Sequence, residues 1–262
     1  GQNTNATEQL DDPAAKAPLI FVELPYEQIA ISSGRWMPIA ALDGVRYIIA
    51  KARATFVPTC AARVPVVINI SSGTNTGPHD GTSMIESALT EILKSDPWVA
   101  ITVAAGNSRL SNTHIDVIVP PHTSYDMTVR VPPLKKHETY TEFWPQWVPN
   151  DGDNVPLDFA AITFGVVSPG GDLRKGLGVD GQGAVFTVKD DVPIAGFQFA
   201  SNAVQSVGRP MALLVVAPTM PHEFLPKAPY GNWIVRCTNT SPIPLRIKAW
   251  VERDETVFGI RQ

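Results

Sequence analysis

The rhythm of apolar and polar positions changes near residue 115. Before it, apolar residues come in dense runs or at every third or fourth position; after it, they come in short alternating stretches broken by Pro, Gly, Asn and Asp. PLIFVEL (18–24), stopped by Pro25, predicts a short buried strand. In WMPIAALDGVRYIIAKARATFV (36–57), Ile39, Leu42, Val45 and Ile49 recur at helical spacing, and Pro38 suits a first helical turn. VPVVINIS (64–71) is β-branched with almost no alternation, as in strands covered on both faces of a parallel sheet. TSMIESALTEILKSD (82–96) lines Ile85, Leu89 and Ile92 along one helix face, and WVAITVAAGN (98–107) predicts a second buried strand ending in small residues. Strand, helix, strand, helix, strand in that order predicts βαβ units and a doubly wound parallel sheet.

Beyond residue 115, IDVIVPP, YDMTVRVPP, LDFAAITFGVVSPGG, AVFTVKD, ALLVVAP, NWIVRCTNT and PLRIKAWVER read as short strands between turn signals. They predict an antiparallel sandwich or jelly-roll-like module. The interval GGDLRKGLGVDGQG (170–183) reads as a flexible loop between strands, since its glycines do not follow a strand and open a helix. The expected fold class is thus α/β, a parallel doubly wound sheet in the N-terminal part, followed by an antiparallel β-sandwich module. The expected divisions are a flexible lead-in (1–17), an α/β part (18–115), a sandwich (116–255) and a tail (256–262).

Composition narrows the classes. The chain has 262 residues, 44% of them hydrophobic and 18% charged, enough for one large domain or two ordinary ones with real cores. The net charge of −4 and the scattered Lys and Arg offer no basic stripe, so no nucleic-acid partner is expected. No apolar run reaches the roughly 20 residues of a spanning helix, so no membrane partner is expected. GQNTNATEQLDDPAAKAP lacks the apolar core of a signal peptide, leaving open whether the chain sits in the cytoplasm or is secreted. Cys60 and Cys237 lie far apart, outside any C-x-x-C, and read as buried free thiols.

Among residues that could carry chemistry, Gly-Thr-Ser-Met (81–84) spells the start of a protease nucleophile motif. Yet Ser83 and Glu86 form S-x-x-E ahead of an apolar periodic run, which is a capping box, with Asp80 and Thr82 as alternative caps. His79 beside Asp80 reads as a solvated turn, and His114 and His122 lack metal-ligand spacing. Asp151 and Asp153 in NDGDN hint at calcium, but the Gly and distal Glu spacing that such a loop requires is missing, so no cofactor is expected. Trp144 and Trp147 read as packed aromatics with one wet edge.

VINISSG followed about thirty residues later by ITVAAGN resembles the middle of the subtilisin-like serine proteases. The helix carrying ALDGV and the GPHDGTS segment resemble a bacterial subset of that family, and the likeness covers roughly residues 18–115. It implies a subtilisin-like sheet, with Asn107 as the oxyanion-hole asparagine. It also implies substrate-binding strands: Ser71, Ser72 and Gly73 form one wall of the first specificity pocket, and Ala104, Ala105 and Gly106 form the opposite wall. The partner implied is a peptide or protein substrate, added along a free strand edge. In that family the order is Asp, His, oxyanion Asn, then Ser. Ser83 precedes Asn107, so the order also makes it a cap. No Asp-Thr-Gly or Asp-Ser-Gly lies upstream, no His-Gly-Thr occurs, and no Gly-Thr-Ser follows Asn107. The expectation is an internal portion of a longer protease, inactive alone, with the sandwich inserted between the oxyanion strand and the serine helix. Its missing partners are the flanking segments of the same precursor. Two other readings stand beside it: a non-catalytic peptide- or protein-binding pseudoenzyme, and a structural, capsid-like β-module.

Overall fold

The structure is a computed structural model. It describes residues 17–24, 37–56, 64–71, 75–106, 111–148, 158–177, 183–187, 192–204, 209–220 and 227–252. The chain divides into two compact units, residues 1–71 with 88–103, and residues 72–87 with 104–262.

In the first unit, helix α1 (Met37–Phe56) buries Met37, Ala41, Val45, Ile49 and Ala52 on one face. Ile39, expected on that face, is exposed: the buried stripe runs through Met37 and Ala41 instead. Strands β1 (Val66–Ile70) and β2 (Val99–Val103) pair in parallel, Val66 opposite Val99 through Ile70 opposite Val103. Val45, Ile49, Ile68 and Val99 form a small core, joined by the partly buried Leu89 and Ile92 of helix α2 (Met84–Ser95). Asp96 pairs with Arg53 and accepts the Trp98 N–H at 3.1 Å, tying the end of α1 to the turn before β2.

The expected doubly wound sheet is not found. Among the described residues, parallel pairing is limited to β1 and β2, and ten strands are antiparallel. The misleading signal was the β-branched run. Such a run predicts a strand covered on both faces, yet β1 alternates: Ile68 is buried while Val67 is 74% exposed. PLIFVEL is not a strand either. It pairs with nothing described, and Leu19 and Phe21 are exposed, while Val22 and Leu24 reach over Gly44 of α1.

In the second unit, ten strands build a sandwich. These are β3 (His114–Val119), β4 (Thr123–Val131), β5 (Thr139–Trp147), β6 (Ile162–Val167), β7 (Leu173–Leu177), β8 (Gly183–Thr187), β9 (Pro193–Val204), β10 (Arg209–Val216), β11 (Gly231–Asn239) and β12 (Leu245–Val251). One sheet has the order β3-β12-β5-β10-β9-β8 and the other β4-β11-β6-β7. Removing the β8–β9 hairpin leaves four strands in each sheet, with the chain passing back and forth between them as in a jelly roll. Strict alternation explains why: β10 buries Pro210, Ala212, Leu214 and Val216 while the residues between them stay partly open. The two inner faces meet in one core, where Phe164 of one sheet lies 5.4 Å from Phe197 of the other, ring centre to ring centre. Pro145 is tolerated in β5 because it lies beyond Phe143, the last residue paired with β10 there. The glycine-rich interval expected to be a loop contains β7, which pairs with β6 across a register shift. Cys237 is buried in this core, and burial pushes its thiol up to about 12. Among the described residues, no helix is long and apolar enough to cross a membrane.

Candidate functional site

Because β1 and β2 are parallel and Ile70 faces Val103, both strands deliver their carboxyl ends at the same end of the pair. Ser71 follows the first end and is exposed, and its Oγ accepts the Asn69 Nδ2 hydrogen bond at 2.6 Å. The Thr102 hydroxyl donates to Asn69 Oδ1 at 3.0 Å, so a short polar chain crosses the strand ends from β2 to Ser71. Asn69 and Thr102 were not singled out in the sequence, because a polar residue within a β-branched run reads simply as its solvent face. Ala104, Ala105 and Gly106 follow the second end as exposed coil. Gly106 has φ of 85° with open space where a Cβ would stand, so its requirement for glycine is one of backbone conformation. Ser72, Gly73 and Asn107 lie outside the described residues, as do Cys60, Asp151 and Asp153.

Ser83 is a cap. The Glu86 N–H donates to Ser83 Oγ at 3.3 Å, and the Ser83 N–H donates to Glu86 Oε2 at 3.1 Å. This is the reciprocal pair of a capping box, and it occupies the hydroxyl with a structural task. Asp80 caps its own turn, accepting the Thr82 N–H at 3.1 Å.

A second cluster lies on the outer face of the six-stranded sheet, where the segment Asn75–Ser83 is held. The Gly77 N–H donates to Glu142 Oε2 on β5 at 2.7 Å, and Trp144 Nε1 donates to the same oxygen at 3.0 Å. Burial raises the Glu142 carboxyl above its ordinary value, against those two donors and nearby His79, which favour the charged form. The Trp250 indole of β12 has the His114 ring stacked at 3.7 Å and the His79 ring at 4.0 Å. Asp80 pairs with Arg209 of β10. Burial alone would raise the Asp80 carboxyl, but hydrogen bonds from Thr82 and Arg209 outweigh it and hold Asp80 below the ordinary carboxylate value. The Asn75 amide reaches Thr113 Oγ1 at 3.4 Å. No sequence signal links these residues, because they come from four strands and are joined only by register: Trp250 faces His114 on one side and Glu142 on the other.

Trp144 is buried beside Glu142, and Trp147 joins the sandwich core. Among the described residues, no three His, Cys, Asp or Glu side chains converge as metal ligands.

No family model matches the chain, and no curated protein matches it. Among solved structures its fold is similar to that of the CspB protease of Clostridium perfringens, with a TM-score of 0.61 over 82% of this chain and 16% sequence identity. At that identity the likeness is one of fold. The chain spans 39% of the length of that protease chain.

Proposed function

We propose that residues 1–262 are an internal portion of a subtilisin-like serine endopeptidase. The observation that carries this reading is the parallel pair whose ends, Ile70 opposite Val103, run directly into Ser-Ser-Gly and Ala-Ala-Gly-Asn, in a chain whose fold is similar to that of a protease. Extended peptide adds to Ser71, Ser72 and Gly73 by main-chain hydrogen bonds, and Ala104, Ala105 and Gly106 leave room for its side chain. Asn107 donates its amide N–H to the oxygen that becomes negative when serine attacks the carbonyl carbon. The attacking serine, the histidine that takes its proton and the aspartate that orients the histidine come from polypeptide outside these residues.

In the complete enzyme, Asn107→Ala should lower kcat by about 10²- to 10³-fold with KM little changed. An unchanged kcat rejects the assignment.

The jelly-roll strand order favours a second reading, a non-catalytic binding or structural β-module. A fluorophosphonate probe separates the two. The peptidase reading expects an adduct on the complete protein at a serine outside this chain, and the binding reading expects none.

A further inference from the structure

The carboxyl ends of β1 and β2 carry a chain of side-chain hydrogen bonds that strand pairing does not require. Asn69 stands opposite Thr102 in the parallel register, so both side chains leave the same face of the pair, opposite to that of the buried Ile68. The Thr102 hydroxyl donates to Asn69 Oδ1 at 3.0 Å, with Ile68 O a second acceptor at 3.4 Å. With its oxygen taken, the Asn69 amide turns its nitrogen to Ser71 and donates to Ser71 Oγ at 2.6 Å. A hydroxyl accepts and donates at once. Ser71 accepts from Asn69, so its own proton is left for another acceptor, and it finds none among the described residues. Ser71 is exposed, where an untethered serine samples three rotamers; the bond from Asn69 selects among them.

We infer that Thr102 and Asn69 are positioning residues that aim the Ser71 hydroxyl proton at the substrate. The site then selects peptides whose side chain before the cleaved bond offers a neutral hydrogen-bond acceptor, as the amide of Asn or Gln does. This assignment rests on the peptidase reading, which puts Ser71 in a wall of the first specificity pocket. An acceptor there completes the chain from Thr102 through Asn69 and Ser71 to the substrate. An apolar side chain instead strips water from the hydroxyl and leaves its proton unpaired, which is how a site built to hydrogen-bond rejects an analogue that cannot. A carboxylate would accept as well, but VVINI and VAITV carry no cation to meet its charge, so the neutral acceptor is favoured.

The test uses the complete protein and two peptides identical except at the residue before the cleaved bond, methionine in one and methionine sulfoxide in the other. The sulfoxide adds an acceptor and no donor at similar shape. The readout is the ratio of kcat/KM, sulfoxide over methionine. From wild type to Ser71→Ala it should fall about threefold to tenfold, the scale of one hydrogen bond between neutral groups. Asn69→Asp should lower it as far: a carboxylate only accepts, so Ser71 turns its proton inward although shape and contact are kept. Thr102→Val, which keeps the shape and loses the hydroxyl, should lower it about twofold, and Thr102→Ser should restore it. In the Ser71→Ala background neither Asn69→Asp nor Thr102→Val should change the ratio further, because both act through Ser71. A ratio that survives Ser71→Ala or Asn69→Asp unchanged, or that Asn69→Asp still shifts in the Ser71→Ala background, overturns the inference. A wild type that cleaves neither peptide and takes up no fluorophosphonate rejects the peptidase reading itself, and this assignment with it.

Discussion

The two halves of this chain solve burial differently. In the sandwich, two sheets cover each other, and Phe143, Phe164, Phe197, Phe199 and Trp233 lie in one continuous core. In the α/β unit, two five-residue parallel strands and helix α1 share a core of four buried side chains, with Val67 and Val103 exposed. Parallel strands ordinarily sit in larger sheets with both faces covered, whereas antiparallel sheets close a core of their own. Stability is thus concentrated in the sandwich, while the unit that carries the parallel pair is the less buried.

Breaking the two cores in turn tests the contrast. Phe197→Ala removes a 2%-exposed ring between Phe143 and Phe164 and should cost about 3–5 kcal/mol in urea unfolding of the sandwich. Cys237, a thiol held at about 12 by burial, is a probe of that opening: its labelling at pH 8 should accelerate in parallel. Ile68→Ala should cost less, about 2 kcal/mol, because its small core relaxes around the lost methyl groups, and it should leave Cys237 labelling unchanged. Accelerated labelling in Ile68→Ala would show the halves unfolding as one and break the comparison. Ser83→Ala should cost least, about 1 kcal/mol, through loss of the helix cap, and Ser83→Asp should restore most of it.

What the sequence revealed follows the range of each signal. The capping box at Ser83 and Glu86 spans three residues and forms as read. Both helices are legible from spacing, although the phase of α1 is displaced because Met37 and Ala41, not Ile39, take the buried stripe. The alternating strands beyond residue 115 are legible from period two. The overall sheet is not. Whether a β-branched run is covered on one face or two depends on neighbours distant in sequence, and Val67 looks identical either way. Strand β7 hides among glycines because its partner β6, not its composition, makes it a strand. At the candidate site, Ser71 and Ala104–Gly106 were named from a motif, whereas Asn69 and Thr102, which link the strand ends, carry no motif. Glu142, Arg209 and Trp250 meet the Asn75–Ser83 segment across sequence separations that no local pattern spans.

The most direct measurement is a crystal structure of the complete protein with a peptide aldehyde bound. The account predicts extended peptide paired with residues 71–73 and 104–106, and the Asn107 amide within about 3 Å of the tetrahedral oxygen. Peptide bound elsewhere, or an Asn107 amide packed inward away from that oxygen, would contradict it.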